Sequence, residues 1–161
     1  MCGIVAYIGN KDPKPILIGG LHRLEYRGYD SAGILVCNNS EYQLTKITGK
    51  VNALSKMLET KPNIAPHLGI GHTRWATHGM PNDTNAHPHY SNSGKLYMVH
   101  NGIIENYDTL KMELIKRGYS FYSDTDSEVL VNLIQEIKAV SYTHLRAHET
   151  EADLVCRLLL E

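Results

Sequence analysis

The sequence predicts a layered domain of α/β or α+β type, in which strands are grouped beside flanking helices. Three observations carry that expectation. An alternating apolar stretch, CGIVAYIG, starts at Cys2, further β-prone runs follow it, and the apolar residues between those runs recur at helical spacing. The length of 161 residues suits one domain, and a chain of that size buries about two-thirds of its unfolded surface without disulfides or metals.

After the first strand, Pro13 and Pro15 sit where a helix begins. Ile16, Leu17, Gly20, Leu21 and Leu24 then predict a short helix returning towards Tyr26. Residues 32–37 and 42–47 read as two strands joined by the turn-forming Asn38-Asn39-Ser40, hence a hairpin. Val51, Leu54, Met57 and Leu58 mark another short helix, which the loop around Pro62 and Pro66 ends before a strand over 68–72. Residues 80–95 are rich in Pro, Asn, His, Ser and Gly, and the segment is longer than ordinary connections. Loops of that length are usually functional or disordered. A strand over 96–100 ends on Asn101-Gly102, and Leu110, Leu114 and Ile115 suit an amphipathic helix that stops at Gly118. The last helix carries Val129, Leu130, Leu133, Ile134 and Ile137 on its apolar face, with Asp126 or Ser127 as N-cap. There is no internal repeat.

A formal charge of −1 and a pI near 6.7 provide no broad basic field for nucleic acid or an anionic membrane. The longest apolar runs are strand-sized, and no basic segment precedes a hydrophobic one. The expectation is a soluble cytoplasmic protein with neither nucleic-acid nor membrane partners. Cys2, Cys37 and Cys156 make an odd total and form no CxxC pair, so neither a disulfide framework nor a cysteine zinc site is expected. Phe121 and the tyrosines read as packing residues, since no basic groove accompanies them.

Cys2 directly follows the initiator methionine. Once Met1 is removed, one residue carries both a thiol and a free α-amino group. Their ordinary pKa values, about 8.5 and about 7.7–8.0, let the amine take the thiol's proton near neutrality. The alternative is a buried structural cysteine, because free Cys is among the most buried residue types.

Polar clusters interrupt the pattern at expected strand edges and loops: YRGYDSAG at 26–33, GHTRWATHG at 71–79, HNGIIENY at 100–107 and SDTDSEV at 123–129. Together with the initial CGIV they closely resemble the glutaminase domain of class II glutamine amidotransferases. The variants LEYRGYDSAG, GHTRWATHG and HNGIIENY resemble the branch that aminates fructose 6-phosphate, whereas amidophosphoribosyltransferases run closer to HRGQDSAG and VRYPTAG. The resemblance spans about residues 1–139. It implies an α+β fold of the N-terminal-nucleophile hydrolase type, an αββα sandwich of two antiparallel sheets between helical layers, C-terminally incomplete here. It also implies L-glutamine as substrate, no cofactor, and a homo-oligomer in the full-length family.

By the resemblance, Cys2 attacks the glutamine side-chain amide, with Asn101 and Gly102 as oxyanion donors. One such donor is worth about 2.7–4 kcal/mol. Asn-Gly in isolation reads instead as a type I′ turn. Arg74 matches the residue that grips the substrate carboxylate, a bidentate task suited to guanidinium. Asp126 matches the acceptor of the α-ammonium; Asp124 competes for that role, but Asp126 is the one that aligns before Ser-Glu-Val. Trp75, Thr77 and His78 complete the glutamine-binding loop. Arg27 matches an arginine near the nucleophile, favouring thiolate; an ion pair with Asp30 or Glu25 is the competing account. Surface solvation is the alternative for any lone Arg or Asp.

Two rivals stand beside this reading. His72, His78, His87, His89 and His100 offer ligands for a metal hydrolase centred on His87-Pro88-His89. Against it, the His-x-His lies in a proline-bearing loop, and the family motif NAHPH occurs there without a catalytic metal, so no metal is expected. The other rival is an inert fragment. Residues 140–161 match nothing in the family, although Leu145, Ala152, Val155, Leu158 and Leu159 support an amphipathic helix. The expectation is a premature end or foreign splice, with fructose 6-phosphate handled only by isomerase domains that this chain lacks.

Overall fold

The computed structural model describes residues 2–76 and 79–145. Its elements are β1 (Gly3–Ile8), α1 (Pro13–Leu24), a 3-10 turn at Glu25–Arg27, β2 (Ser31–Cys37), β3 (Tyr42–Thr48), α2 (Val51–Glu59), β4 (Leu68–Arg74), β5 (His89–Tyr90), β6 (Tyr97–Met98), α3 (Tyr107–Lys116) and α4 (Asp126–Leu145). Two antiparallel sheets form, one of four strands in the order β1-β4-β2-β3 and one of two strands, β5-β6.

Strand alternation assigns the faces of the larger sheet. Ala32, Ile34 and Val36 of β2 point to one side and pack with Leu17 and Leu21 of α1 and Val51, Leu54 and Leu58 of α2. Each large side chain buried there contributes about 1.5–3 kcal/mol. On β4 the same side carries Gly69 and Gly71. A Cβ there would lie 2.7 Å from Leu17 Cδ1 and 3.1 Å from Leu21 Cδ1, so the bare backbone lets α1 seat directly on the strand. The opposite side carries Gly33, Ile70, His72 and Arg74. Gly33 approaches the loop before β5 so closely that a Cβ would lie 2.1 Å from the His87 carbonyl oxygen. The two sheets meet at that contact, with α4 packed on β5 and β6, and α3 on α4. Helices, sheet, sheet and helices succeed one another as the αββα expectation requires.

Local chemistry accounts for the boundaries. Asp12 Oδ1 accepts from Lys14 N at 2.9 Å, capping α1 ahead of Pro13. Asn38 Oδ1 accepts from Ser40 N and Glu41 N at 2.8 and 2.7 Å, closing the β2-β3 hairpin. The cap of α2 comes from a distant residue: Glu25 Oε1 accepts from Val51 N at 2.8 Å. α3 ends in a Schellman motif, with Tyr119 N donating to Leu114 O, Gly118 N to Ile115 O, and Gly118 at φ +91°.

Several expectations require correction. The strand over 96–100 shrinks to Tyr97–Met98, because His100 N turns away to His87 Nδ1 at 3.4 Å and Asn101 turns towards β1. The long loop contributes the short strand β5. Helix α4 begins at Asp126, and its cap is neither Asp126 nor Ser127 but Thr125, whose Oγ1 accepts from Glu128 N at 3.4 Å. Ile115, Ile134 and Ile137 are 52%, 42% and 58% exposed, whereas Glu128, Val131 and Asn132 are buried. Hydrogen bonds orient α4: Asn132 Oδ1 accepts from Asn92 N at 2.8 Å, Gln135 Oε1 accepts from Ser93 N at 2.9 Å, and Glu128 takes Ser123 N at 2.7 Å. The tail's proposed helix lies outside the described residues beyond Leu145, as does Cys156.

Candidate active site at the end of the first strand

Register builds the site. Gly3 pairs with Thr73, which sets Cys2 beside the end of β4, where Arg74 and Trp75 follow. Trp75 N donates to Cys2 Sγ at 3.2 Å, and the thiol reaches Trp75 O at 3.6 Å. On the other flank of β4, Ser31 pairs with Arg74, so the YRGYDS segment wraps the same strand end. Gly28 is required there, since a Cβ would lie 2.9 Å from Arg74 O. Asp30 N donates to Arg74 O at 3.2 Å, and its carboxylate accepts from Ala76 N and from Ser31 Oγ.

A cleft of about 320 Å³ opens here. Cys2, Arg27, Arg74 and Trp75 line it from the larger sheet, and Asn101, Gly102 and Asp126 line it from the second layer. Seven of the nine residues singled out in the sequence thus share one cavity; Thr77 and His78 lie outside the described residues. Asp124 is not in the lining. It pairs with Asn85 through Asp124 N to Oδ1 at 3.0 Å and Asn85 Nδ2 to Oδ2 at 3.2 Å.

The polar groups are held tightly. Arg74 is 4% exposed and donates from Nη2 to Gly79 O at 3.1 Å and from Nη1 to Met80 O at 3.5 Å. Asp126 Oδ2 accepts from Ile104 N at 2.8 Å, which ties the 102–104 segment to α4. Asn101 Nδ2 donates to Cys2 O at 3.1 Å while its Oδ1 lies 2.8 Å from His72 Nε2. Of the two carboxylates beside Arg27 in the sequence, Glu25 caps α2 and Asp30 holds Ala76 N.

Sequence reasoning missed Asp30 as an organiser of this loop, and saw His72 only as a metal ligand. The histidines form a buried row between the sheets, His72 stacked on His87 at 4.2 Å and His89 edge-on to His87 at 4.5 Å. Ring faces and edges meet, and among the described residues no group of three His, Cys, Asp or Glu converges on one point as metal ligands do. Burial lowers the His72 pKa to about 4, against the raising effect of the Asn101 hydrogen bond. His89 falls to about 3 through burial and the nearby charges of Lys46 and Arg74, and burial also holds His87 well below its usual value. Lys46, itself lowered to about 8 by burial, lines a second cavity of about 330 Å³ on the far side of His89.

No helix among the described residues is long and apolar enough to cross a membrane. The model of the glutamine amidotransferase domain family matches residues 59–147. The glutamine-fructose-6-phosphate aminotransferase (isomerizing) of Caldanaerobacter subterraneus subsp. tengcongensis is 57% identical over 135 residues, covering 84% of this chain and 22% of the relative. The same enzyme of Pyrococcus horikoshii is 55% identical over 136 residues, covering 84% and 23%. The chain thus spans less than a quarter of the curated relatives it matches. Among solved structures, the glutamine phosphoribosylpyrophosphate amidotransferase of B. subtilis superposes with a TM-score of 0.69 at 28% identity, over 84% of this chain and 29% of that one. With a family model matched over more than half its length and its cysteine-headed cleft at the start of β1, the chain belongs to the glutamine amidotransferase domain family.

Proposed function

We propose that this chain is the glutaminase part of a glutamine:fructose-6-phosphate aminotransferase, releasing ammonia from L-glutamine. The observation that carries the proposal is the meeting of Cys2, Arg74, Asn101, Gly102 and Asp126 in one cleft. With Met1 removed, the α-amino group of Cys2 takes the thiol proton and the sulfur attacks the amide carbon, forming a tetrahedral oxyanion. The protonated amine then gives its proton to the departing nitrogen. Ammonia leaves, a γ-glutamyl thioester remains, and water attacks it to release glutamate and restore the thiol.

The side-chain amide of Asn101 has two N–H donors. One holds the Cys2 carbonyl, and the other serves the oxyanion with Gly102 N–H. The Arg74 guanidinium carries five donors in a planar fork; Nη1 and Nη2 each meet a backbone carbonyl that fixes the fork, and from that position it addresses the substrate carboxylate. Asp126 keeps acceptor capacity for the α-ammonium beyond its bond to Ile104. Trp75 N–H supports the sulfur, Arg27 adds positive charge that favours thiolate, and Thr77 with His78 completes the glutamine loop by family likeness. Fructose 6-phosphate, homo-oligomerisation and a cytoplasmic location belong to this proposal for the whole protein, with 1–139 as the glutaminase region and 140–161 as an added tail.

Glutamine turnover by the purified chain, with its N-terminus read by intact mass, tests the proposal. Glutamate should appear only from chains lacking Met1. Equal turnover by Met1-bearing chains rejects the shared-residue mechanism, and no turnover by processed chains favours the inert-fragment reading.

A further inference from the structure

We infer that His72 is a positioning residue for Asn101, its Nε2–H dictating which way the Asn101 amide faces and so keeping the amide N–H groups turned towards Cys2. The inference rests on the oxyanion role proposed for Asn101 and adds to it a residue that the proposed mechanism does not use.

The hydrogen-bond pattern admits one orientation. Asn101 Nδ2 meets the Cys2 carbonyl oxygen, a pure acceptor, at 3.1 Å, so Oδ1 is the atom facing His72 Nε2 at 2.8 Å. Oδ1 is also a pure acceptor, and Nε2 must therefore carry the proton. Turning the amide over would set Oδ1 against the Cys2 carbonyl and lose that bond, and the NH2 group could meet Nε2 only if the ring proton moved to Nδ1, which is buried without a hydrogen-bond partner. The ring that enforces this is itself fixed. His72 lies on β4 paired with Ile4 and Gly33, is 1% exposed, and stacks on His87 with 18° between the ring planes. Burial keeps it neutral at physiological pH, so it acts by direction and not by charge or proton transfer.

The test uses the full chain. H72L removes the donor, whereas H72Q keeps an N–H at similar reach. H72L should lower kcat for glutamine by up to about 10²-fold with KM little changed, and H72Q should recover most of the loss. In an N101A background H72L should have no further effect, because the two residues act as one unit. Additive losses, or a parental kcat in H72L, would overturn the positioning role. An N101A variant with parental kcat would instead sink the oxyanion reading of Asn101, a separate and recognisable result. Long-range ¹H–¹⁵N NMR of the labelled parent chain supplies a readout that depends on neither activity nor the folding of H72L: His72 should stay in the Nε2–H tautomer from about pH 5 to 8. An Nδ1–H tautomer overturns the inference.

Discussion

The two layers of this molecule are built from different materials. Between the larger sheet and α1-α2 the interior is Leu17, Leu21, Ile34, Val36, Val51 and Leu54, all fully buried. Around β5-β6 and the start of α4 the buried groups include Asn85, His87, His89, Ser123, Asp126, Glu128 and Asn132. The first layer is held by non-directional burial, and the second by hydrogen bonds that hold only at fixed geometry. The candidate cleft lies along their junction. One wall is a rigid apolar scaffold that delivers Cys2 and Arg74, and the other is a polar lattice that aims Asn101 and Asp126.

Separating chemistry from scaffold should give the largest contrast. Cys2→Ala should abolish glutamine turnover, a loss on the order of 10⁶-fold by analogy with other nucleophile deletions, while leaving the thermal midpoint near that of the parent. A large drop in that midpoint would make Cys2 a structural residue.

Acid should then attack the polar layer alone. Unfolded histidines bind a proton near the ordinary 6.5, but His72 in the fold does so only near 4, and His89 only near 3. Between those values the unfolded chain holds more protons. Stability is therefore full above about pH 6.5 and falls as pH drops, by about 1.4 kcal/mol per pH unit for each such histidine. Melting curves across that range check the slope, and His89→Gln should flatten it. An unchanged slope in His89→Gln would remove His89 from the acid response.

In the apolar layer, Leu21→Ala should cost about 2–5 kcal/mol with no dependence on pH, measured by urea unfolding. A pH-dependent loss would blur the division between layers. The smallest effect concerns the seam between elements: Glu25→Ala removes the distant cap of α2 and should cost about 0.5–2 kcal/mol. A change within error would mean that water replaces the carboxylate at Val51 N.

The same division explains what could be read from residues alone. Burial leaves a periodic trace, so β1, α1, the β2-β3 hairpin, α2 and β4 follow from alternation and helical spacing. Hydrogen-bonded packing leaves none. Of the apolar face expected for α4, Val129 is buried but Ile134 and Ile137 are exposed, because Glu128 and Asn132 set the rotation of the helix. Within the cleft, Cys2, Arg74 and Asn101 stood out through motifs that resemble the family, since taken singly each had an ordinary structural reading. Asp30 and His72 did not, since a carboxylate on a backbone N–H and an imidazole on an amide oxygen are pairings across dozens of residues, visible only once β4 lies between β1 and β2.

That strand order also sets a clock. Gly3 finds its partner, Thr73, roughly seventy residues later in the chain, and ribosomes add about 5–20 residues per second. For about 4–14 s of synthesis the leading segment has no ladder to join. Methionine excision, which the proposed mechanism requires, thus has its opening while the polypeptide is still being made, before Gly3 joins Thr73 beside Cys2.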